Sequence, residues 1–334
     1  MTDAKSSIRV RIAGTGRYLP ERVMTNAELE TMVETSDEWI RTRTGIRERR
    51  IAASDEGSAD MGAAAGIAAL ENAGISPADV DLVVVSTATP DRLMPSTACD
   101  IQAIIGSSNA GAYDFNTACS GFPYGLSMAQ AHIASGHADT VLLVCTEKMS
   151  SIVDWTDRTT CVIFGDGAGA VVLQRAAEEA SGSILSSFMK SDGTLAELLY
   201  RPAGGAKIPI DAAVLDQGTH FLRMAGPEVF KSAVRSMCEA AEGALTRAGV
   251  AAEDIDLLVP HQANVRIIEA TAKYAGIPMD RVMLNVERYG NMSSASAAVA
   301  FDEARELGLV GEGSLVLVVA FGAGFTWAAN VIRL

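Results

Sequence analysis

AGISPADVDLVVVSTA at residues 73–88 and AGVAAEDIDLLVPHQA at residues 248–263 align without a gap at an offset of 175 residues. The identities include Ala73/Ala248, Gly74/Gly249, Asp79/Asp254, Asp81/Asp256 and Leu82/Leu257. The same offset lays VLLVCTE (141–147) on VLVVAFG (316–322). One match alone is weak; two in one register indicate a duplicated unit. In each copy a small-residue helical pattern precedes a continuous Val/Leu run: ADMGAAAGIAALENAG before VDLVVVST, and KSAVRSMCEAAEGALTRAG before IDLLVPH. Uninterrupted apolar strands between helices indicate sheets covered on both faces. The expected fold is α/β, two similar halves packed as a five-layer α-β-α-β-α stack with two mixed sheets. The halves are expected to span residues 1–178 and 179–334.

The copies then diverge. FGDGAGAVVL begins at Phe164 and FGAGFTWAANVI at Phe321, an offset of 157, so the first half carries 175 − 157 = 18 extra residues after Glu147. That insertion contains SSIVDWTDRTT, and loops added to a repeated scaffold commonly carry function. Trp155 and Arg158 are therefore candidate ligand contacts. The 175-residue register also sets Ser86 opposite His261, so the two halves are expected to supply different parts of one site.

Composition narrows the classes. The 334 residues, 49% of them hydrophobic and 20% charged, suit one large or two medium folded domains. A formal charge of −14 argues against nucleic-acid binding as the main role. Five cysteines (99, 119, 145, 161 and 238) show no metal-ligand spacing and do not cluster with the four histidines. No apolar run reaches membrane-spanning length. These features lead to the expectation of a cytoplasmic protein with reduced thiols, no metal and no membrane insertion.

Cys119 stands apart from the other four thiols. In YDFNTACSGFPYGLSMAQ an apolar stretch meets a cysteine, then Ser-Gly, then an amphipathic helical pattern. A thiol at a strand-to-helix turn lies near free backbone N–H groups and the positive helix end, both of which favour thiolate. Two other segments join it: LLVPHQANVRI with His261, and ERYGNMSSASAA with Asn291. Cysteine and histidine alone allow a protease, an acyltransferase or a carbon–carbon condensing enzyme. An amide beside a neutral histidine offers two donors to a developing enolate, which suits decarboxylative condensation. Asn291 after Gly290 also fits a simple left-handed turn. The loop GDGAGA is followed by an apolar strand and no helix, so it does not read as a dinucleotide site.

The set TACSGF, PHQANVRI, YGNMSSAS and FGAGFTW, with TSDEWIRTRTGIRERRIA and DRTTCVIFGDGAGA, resembles β-ketoacyl-acyl-carrier-protein synthase III of the thiolase superfamily. The likeness spans almost the whole chain. It implies a cysteine that takes an acyl group from acyl-CoA, then condenses it with malonyl-acyl-carrier protein with loss of carbon dioxide, initiating fatty acid synthesis without a cofactor. By that resemblance Cys119, His261 and Asn291 are catalytic, and the backbone N–H groups of Cys119 and Ala323 form an oxyanion hole. Trp39, Arg43, Arg158 and Asn264 would bind CoA, with Trp39 and Arg158 sandwiching adenine. Met94, Phe164, Leu222 and Phe321 match acyl-pocket positions. Lys231, Arg266 and Lys273 match a docking patch for the acidic carrier protein, and a homodimer is implied with Met94 near its interface. The chain departs from the family pattern at Tyr274, Ala323 and Met94. Two other roles stay open at this level: loading of a polyketide or quinolone starter, and a non-catalytic partner, against which the intact Cys119–His261–Asn291 set argues.

Overall fold

The computed structural model describes residues 9–176 and 182–334; the expected boundary between 178 and 179 lies outside the described residues. Two sheets carry the fold. The first is built from β1 (Val10–Tyr18), β2 (Leu82–Ser86), β3 (Gly111–Phe115), β4 (Thr140–Lys148) and β5 (Asp166–Arg175), in the spatial order β1-β5-β4-β2-β3. The second contains β6 (Ser183–Ser191), β7 (Leu257–Pro260), β8 (Leu315–Gly322) and β9 (Thr326–Arg333), in the order β7-β8-β9-β6. Both are mixed: β2 runs parallel to β3 and β4, and β7 parallel to β8, while the remaining pairs are antiparallel. The second sheet has the order of the first with its fifth strand reduced to a single parallel bridge, Leu258 to Val282.

Six helices complete the stack: α1 (Ser58–Ala73), α2 (Thr97–Ile105), α3 (Gly121–Ala134), α4 (Gly226–Ala248), α5 (Val265–Ala275) and α6 (Ala295–Glu306). Strand alternation decides which helix each sheet face meets. Val83, Val85, Leu142 and Val144 pack with Met61, Ala65 and Ala69 of α1. Their neighbours Val84, Leu143 and Cys145 pack with Phe122 and Leu126 of α3, and with Val299 and Phe301 of α6. Val259, Val316 and Val318 of the second sheet close that middle layer from the other side. Leu258, Leu317 and Val319 turn outward onto Met237, Ala240 and Ala241 of α4. The result is the five-layer arrangement.

The repeated residues are the ones the geometry needs. α1 and α4 both end in a left-handed glycine, Gly74 at φ 67° and Gly249 at φ 65°, a conformation that glycine adopts at little steric cost. Asp81 accepts a hydrogen bond from the Thr140 N–H at 2.9 Å, and Asp256 accepts from the Leu315 N–H at 2.8 Å, so each aspartate fixes the first residue of the neighbouring strand. Ala170 pairs with Val144 and Ala329 with Val319, so the structural offset there is 329 − 170 = 159, not 157. The insertion is therefore 175 − 159 = 16 residues, because the FG motifs at 164 and 321 do not occupy equivalent strand positions.

Candidate active site

Cys119 lies just before α3 in the turn Ala118–Ser120. Ala118 has φ 46°, an unusual value for a residue with a Cβ. Its N–H donates to Asn116 Oδ1 at 3.0 Å. Ser120 Oγ donates to the Thr117 carbonyl at 2.8 Å and lies 2.8 Å from Thr326 Oγ1. Gly322, at the end of β8, backs directly onto this turn: a Cβ there would come 2.7 Å from the Cys119 nitrogen. Only a glycine allows the second half's strand to reach the Cys119 backbone, and Ala323 follows it in the chain.

Asn291 precedes α6. Its N–H donates to the Ile163 carbonyl at 2.9 Å, and its carbonyl accepts from Gly165 N–H at 3.0 Å. The end of the insertion thus holds it. Asn291 Oδ1 accepts from Ser293 N–H at 2.8 Å, which leaves the side-chain NH2 as its free donor end. Ser293 has φ 49°, and the Cys119 thiol donates to Ser293 Oγ at 3.6 Å. His261 follows β7; its N–H donates to the Val319 carbonyl at 2.8 Å, and Nδ1 is buried without a hydrogen-bond partner among the described residues.

These three side chains line one cavity of about 200 Å³, walled by Phe164, Phe321, Met224, Phe230 and Met237. Its electrostatics differ from the sequence expectation of a stabilised thiolate. Burial pushes the Cys119 thiol up to about 12, although Ser293, the Cys119 backbone N–H and Asn291 all pull the other way. Burial likewise pushes His261 down to about 3. Desolvation outweighs the helix terminus and so favours a thiol beside a neutral imidazole.

The other expected site residues fall into separate groups. Trp39, Arg43, Arg158 and Asn264 cluster at the cavity mouth: the Arg43 and Arg158 guanidinium carbons lie 4.7 and 5.4 Å from the Trp39 ring centroid. Asn264 Nδ2 donates to the Arg43 carbonyl at 2.9 Å and itself lines the cavity. Trp39 sits in the helix Asp37–Thr44, capped by Ser36 Oγ, and Gly45 ends that helix at φ 82°. Lys231 on α4 and Arg266 and Lys273 on α5 are exposed, and none forms an ion pair among the described residues. Leu222 is buried in the core behind the cavity and does not line it, while Leu199 and Met224 do. Met94 is 85% exposed on the loop before α2, away from the cavity. Trp155 packs against the core. Sequence reading missed the wall supplied by α4, namely Val229, Phe230, Ala233 and Met237; the i, i+4 apolar spacing there was the available signal. No helix among the described residues is long and apolar enough to cross a membrane, and no group of three or more metal-ligating side chains is present among them.

Comparison with known proteins decides the family. Residues 113–193 match the family model described as 3-oxoacyl-[acyl-carrier-protein (ACP)] synthase III, and residues 245–334 match its C-terminal model. A β-ketoacyl-[acyl-carrier-protein] synthase III of Caldanaerobacter subterraneus subsp. tengcongensis is 49% identical over 98% of this chain and 98% of its own. The chain belongs to the β-ketoacyl-acyl-carrier-protein synthase III family. The crystal structure of the synthase III from Aquifex aeolicus VF5 superposes with a TM-score of 0.90 at 46% identity, over 97% of this chain and 100% of that one. The priming β-ketosynthase from the R1128 polyketide pathway reaches 0.91 at 39% identity, over 99% and 98%. The chain is thus a thiolase-fold condensing acyltransferase, and the synthase III reaction, joining an acyl-CoA to malonyl-acyl-carrier protein at the start of fatty acid synthesis, follows from that membership.

Proposed function

We propose that this synthase III takes a short acyl primer, acetyl-CoA first among them, onto Cys119 and uses His261 and Asn291 for the condensation. The Cys119 sulfur attacks the thioester carbon, CoA leaves as the thiol with the proton of Cys119, and the backbone N–H groups of Cys119 and Ala323 hold the oxyanion. Malonyl-acyl-carrier protein then loses carbon dioxide. The electron pair so released becomes an enolate whose oxygen accepts hydrogen bonds from His261 and the Asn291 NH2. Its carbon attacks the acyl-Cys119 thioester, releasing 3-oxoacyl carrier protein and the Cys119 thiolate, which takes one proton from solvent to return the thiol. A histidine pushed down to about 3 by burial enters the condensation as a neutral imidazole, so it offers the enolate a hydrogen-bond donor in place of an imidazolium.

The observation that carries this reading is one small apolar cavity shared by Cys119, His261 and Asn291. Trp39, Arg43, Arg158 and Asn264 at its mouth suit adenine stacking, phosphate pairing and the pantetheine arm. The exposed Lys231, Arg266 and Lys273 suit an acidic carrier protein despite the chain's −14 charge. No cofactor enters these steps. A homodimer in the cytoplasm completes the proposal: the outer edge of β3, unpaired among the described residues, and the exposed Leu93 and Met94, 81% and 85% accessible, suit a second copy. Incubation with a panel of acyl-CoAs, followed by malonyl carrier protein and mass analysis of both proteins, tests it. Transfer of two-carbon to four-carbon primers into 3-oxoacyl carrier protein is expected; acceptance of long primers only would overturn the primer assignment.

A further inference from the structure

Glu147 is a fully buried carboxylate that the reaction does not use. It lies near the end of β4 and accepts every hydrogen bond it makes. Oε2 takes the Ala88 N–H at 3.0 Å, the Thr89 hydroxyl at 2.7 Å and the Thr87 hydroxyl at 3.4 Å. Oε1 takes the Ser294 hydroxyl at 2.8 Å and the Ser294 N–H at 3.4 Å. These contacts cross between the halves: residues 87–89 belong to the first, and Ser294 is the N-cap of α6 in the second. Ser294 directly follows Ser293, which contacts the Cys119 sulfur and holds Asn291 Oδ1. A carboxylate on the N-cap residue ahead of α6 also sits where a helix favours an anion. Burial pushes the Glu147 carboxyl up, opposed by the hydrogen bonds from Thr89, Ser294 and Ala88. The titratable neighbours that feel it are the buried thiols of Cys119 and Cys145. The adjacent Lys148 turns away, its ammonium on the carbonyls of Ala53 and Glu56.

We infer that Glu147 is a positioning residue for the condensation half-reaction: it clamps the Asn291–Ser294 turn to the 87–89 segment so that the Asn291 amide stays beside Cys119. The inference rests on the assignment of enolate stabilisation to Asn291. Acyl loading needs only Cys119 and its oxyanion hole, so Glu147 acts on the second half-reaction. Its charge also opposes thiolate formation at Cys119.

Glu147→Gln keeps the shape, removes the charge and turns one acceptor into a donor facing other donors. Four quantities are read on purified full-length enzyme: acyl loading by intact mass, discharge by malonyl carrier protein, the pH profile of iodoacetamide labelling at Cys119, and thermal unfolding. Discharge is expected to fall about tenfold to a hundredfold, the cost of a small misplacement, while loading stays level or rises and the labelling profile moves to lower pH. Equal loss in both half-reactions with an unmoved labelling profile would reduce Glu147 to a structural role and overturn the inference. If Glu147→Gln does not fold, Ser294→Ala removes one donor and leaves the carboxylate; a smaller loss confined to discharge supports the clamp, and unchanged discharge overturns it. Failure of Asn291→Ala to separate the half-reactions would instead strike the assignment on which the clamp rests.

Discussion

The turns Asn116–Gly121 and Asn291–Ser296 start the two central helices, 175 residues apart, and share a backbone design. In each, an asparagine Oδ1 accepts the N–H two residues on, at 3.0 Å in one and 2.8 Å in the other. In each, that second residue is a non-glycine at positive φ, Ala118 at 46° and Ser293 at 49°. The next residue is Cys119 in the first and Ser294 in the second. What faces that residue differs. Gly322 ends β8 against Cys119 and leaves room for the cavity; its twin Glu147 fills the corresponding place against Ser294. His261 faces the cavity, whereas its twin Ser86 is packed under Gly121, whose added Cβ would meet Ser86 Oγ at 1.9 Å. Duplication supplied two equal turns. One kept a hole beside its cysteine; the other was plugged by a carboxylate, and its asparagine faces the first one's hole.

That contrast is open to direct attack. Cys119→Ser should cut acyl-enzyme formation by at least about a thousandfold, because an alcohol there lacks both acidity and nucleophilicity. Adding Ser294→Cys should restore nothing, since the twin turn has no cavity; acyl mass on residue 294, located by peptide mapping, would break the asymmetry. Next in size, Asn291→Ala should slow condensation by about a hundredfold or more while loading persists. Asn116→Ala, at the exposed twin, should cost one turn hydrogen bond, about 1 kcal/mol of stability, and less than about tenfold in either half-reaction. Equal behaviour of the two variants would erase the distinction between the turns. Steady-state kinetics should show Arg158→Ala raising the KM for acyl-CoA with kcat nearly unchanged, since it lies at the mouth and not in the cavity.

The twins also differ in a pH slope of stability. His261 is held neutral in the fold, with a value of about 3 against about 6.5 in an unfolded chain. Between those values the unfolded chain binds the extra proton, so stability falls as pH drops from about 6.5 toward 3 and is unaffected above it. The largest slope is about 1.4 kcal/mol per pH unit. His261→Ser, which copies the twin's residue, should flatten that dependence in urea unfolding at pH 4.5 and 7. An unchanged difference between the two pH values would mean the imidazole is not held neutral by burial.

Much of this molecule is readable from one dimension. The repeated Ala-Gly and Asp residues announce helix ends and strand starts, because their roles are local: a left-handed cap, a carboxylate on a neighbouring strand's first N–H. Cys119, His261 and Asn291 are legible as a set since each sits at a strand end or helix start with a recognisable flank. The cavity wall is less so. Leu222 and Met224 are two residues apart with similar side chains, and only packing decides that Met224 lines the space and Leu222 stands behind it. The thiol's burial is equally hidden; the helix-start motif announces favourable N–H groups and says nothing of the desolvation that outweighs them. Asn116 was available through the 175-residue register, but its partner in the comparison is a backbone angle, which no residue type spells out for alanine or serine.

The division of labour between the two turns is tested most directly by intact-mass measurement in two stages. Wild-type enzyme and Asn291→Ala are incubated with acetyl-CoA, freed of it, and mixed with malonyl carrier protein. Both should gain one acetyl group on Cys119; the wild type should then lose it to 3-oxoacyl carrier protein, while Asn291→Ala keeps it. Product formed by wild type with no acyl group ever carried on Cys119, or discharge of Asn291→Ala at the wild-type rate, would contradict the account.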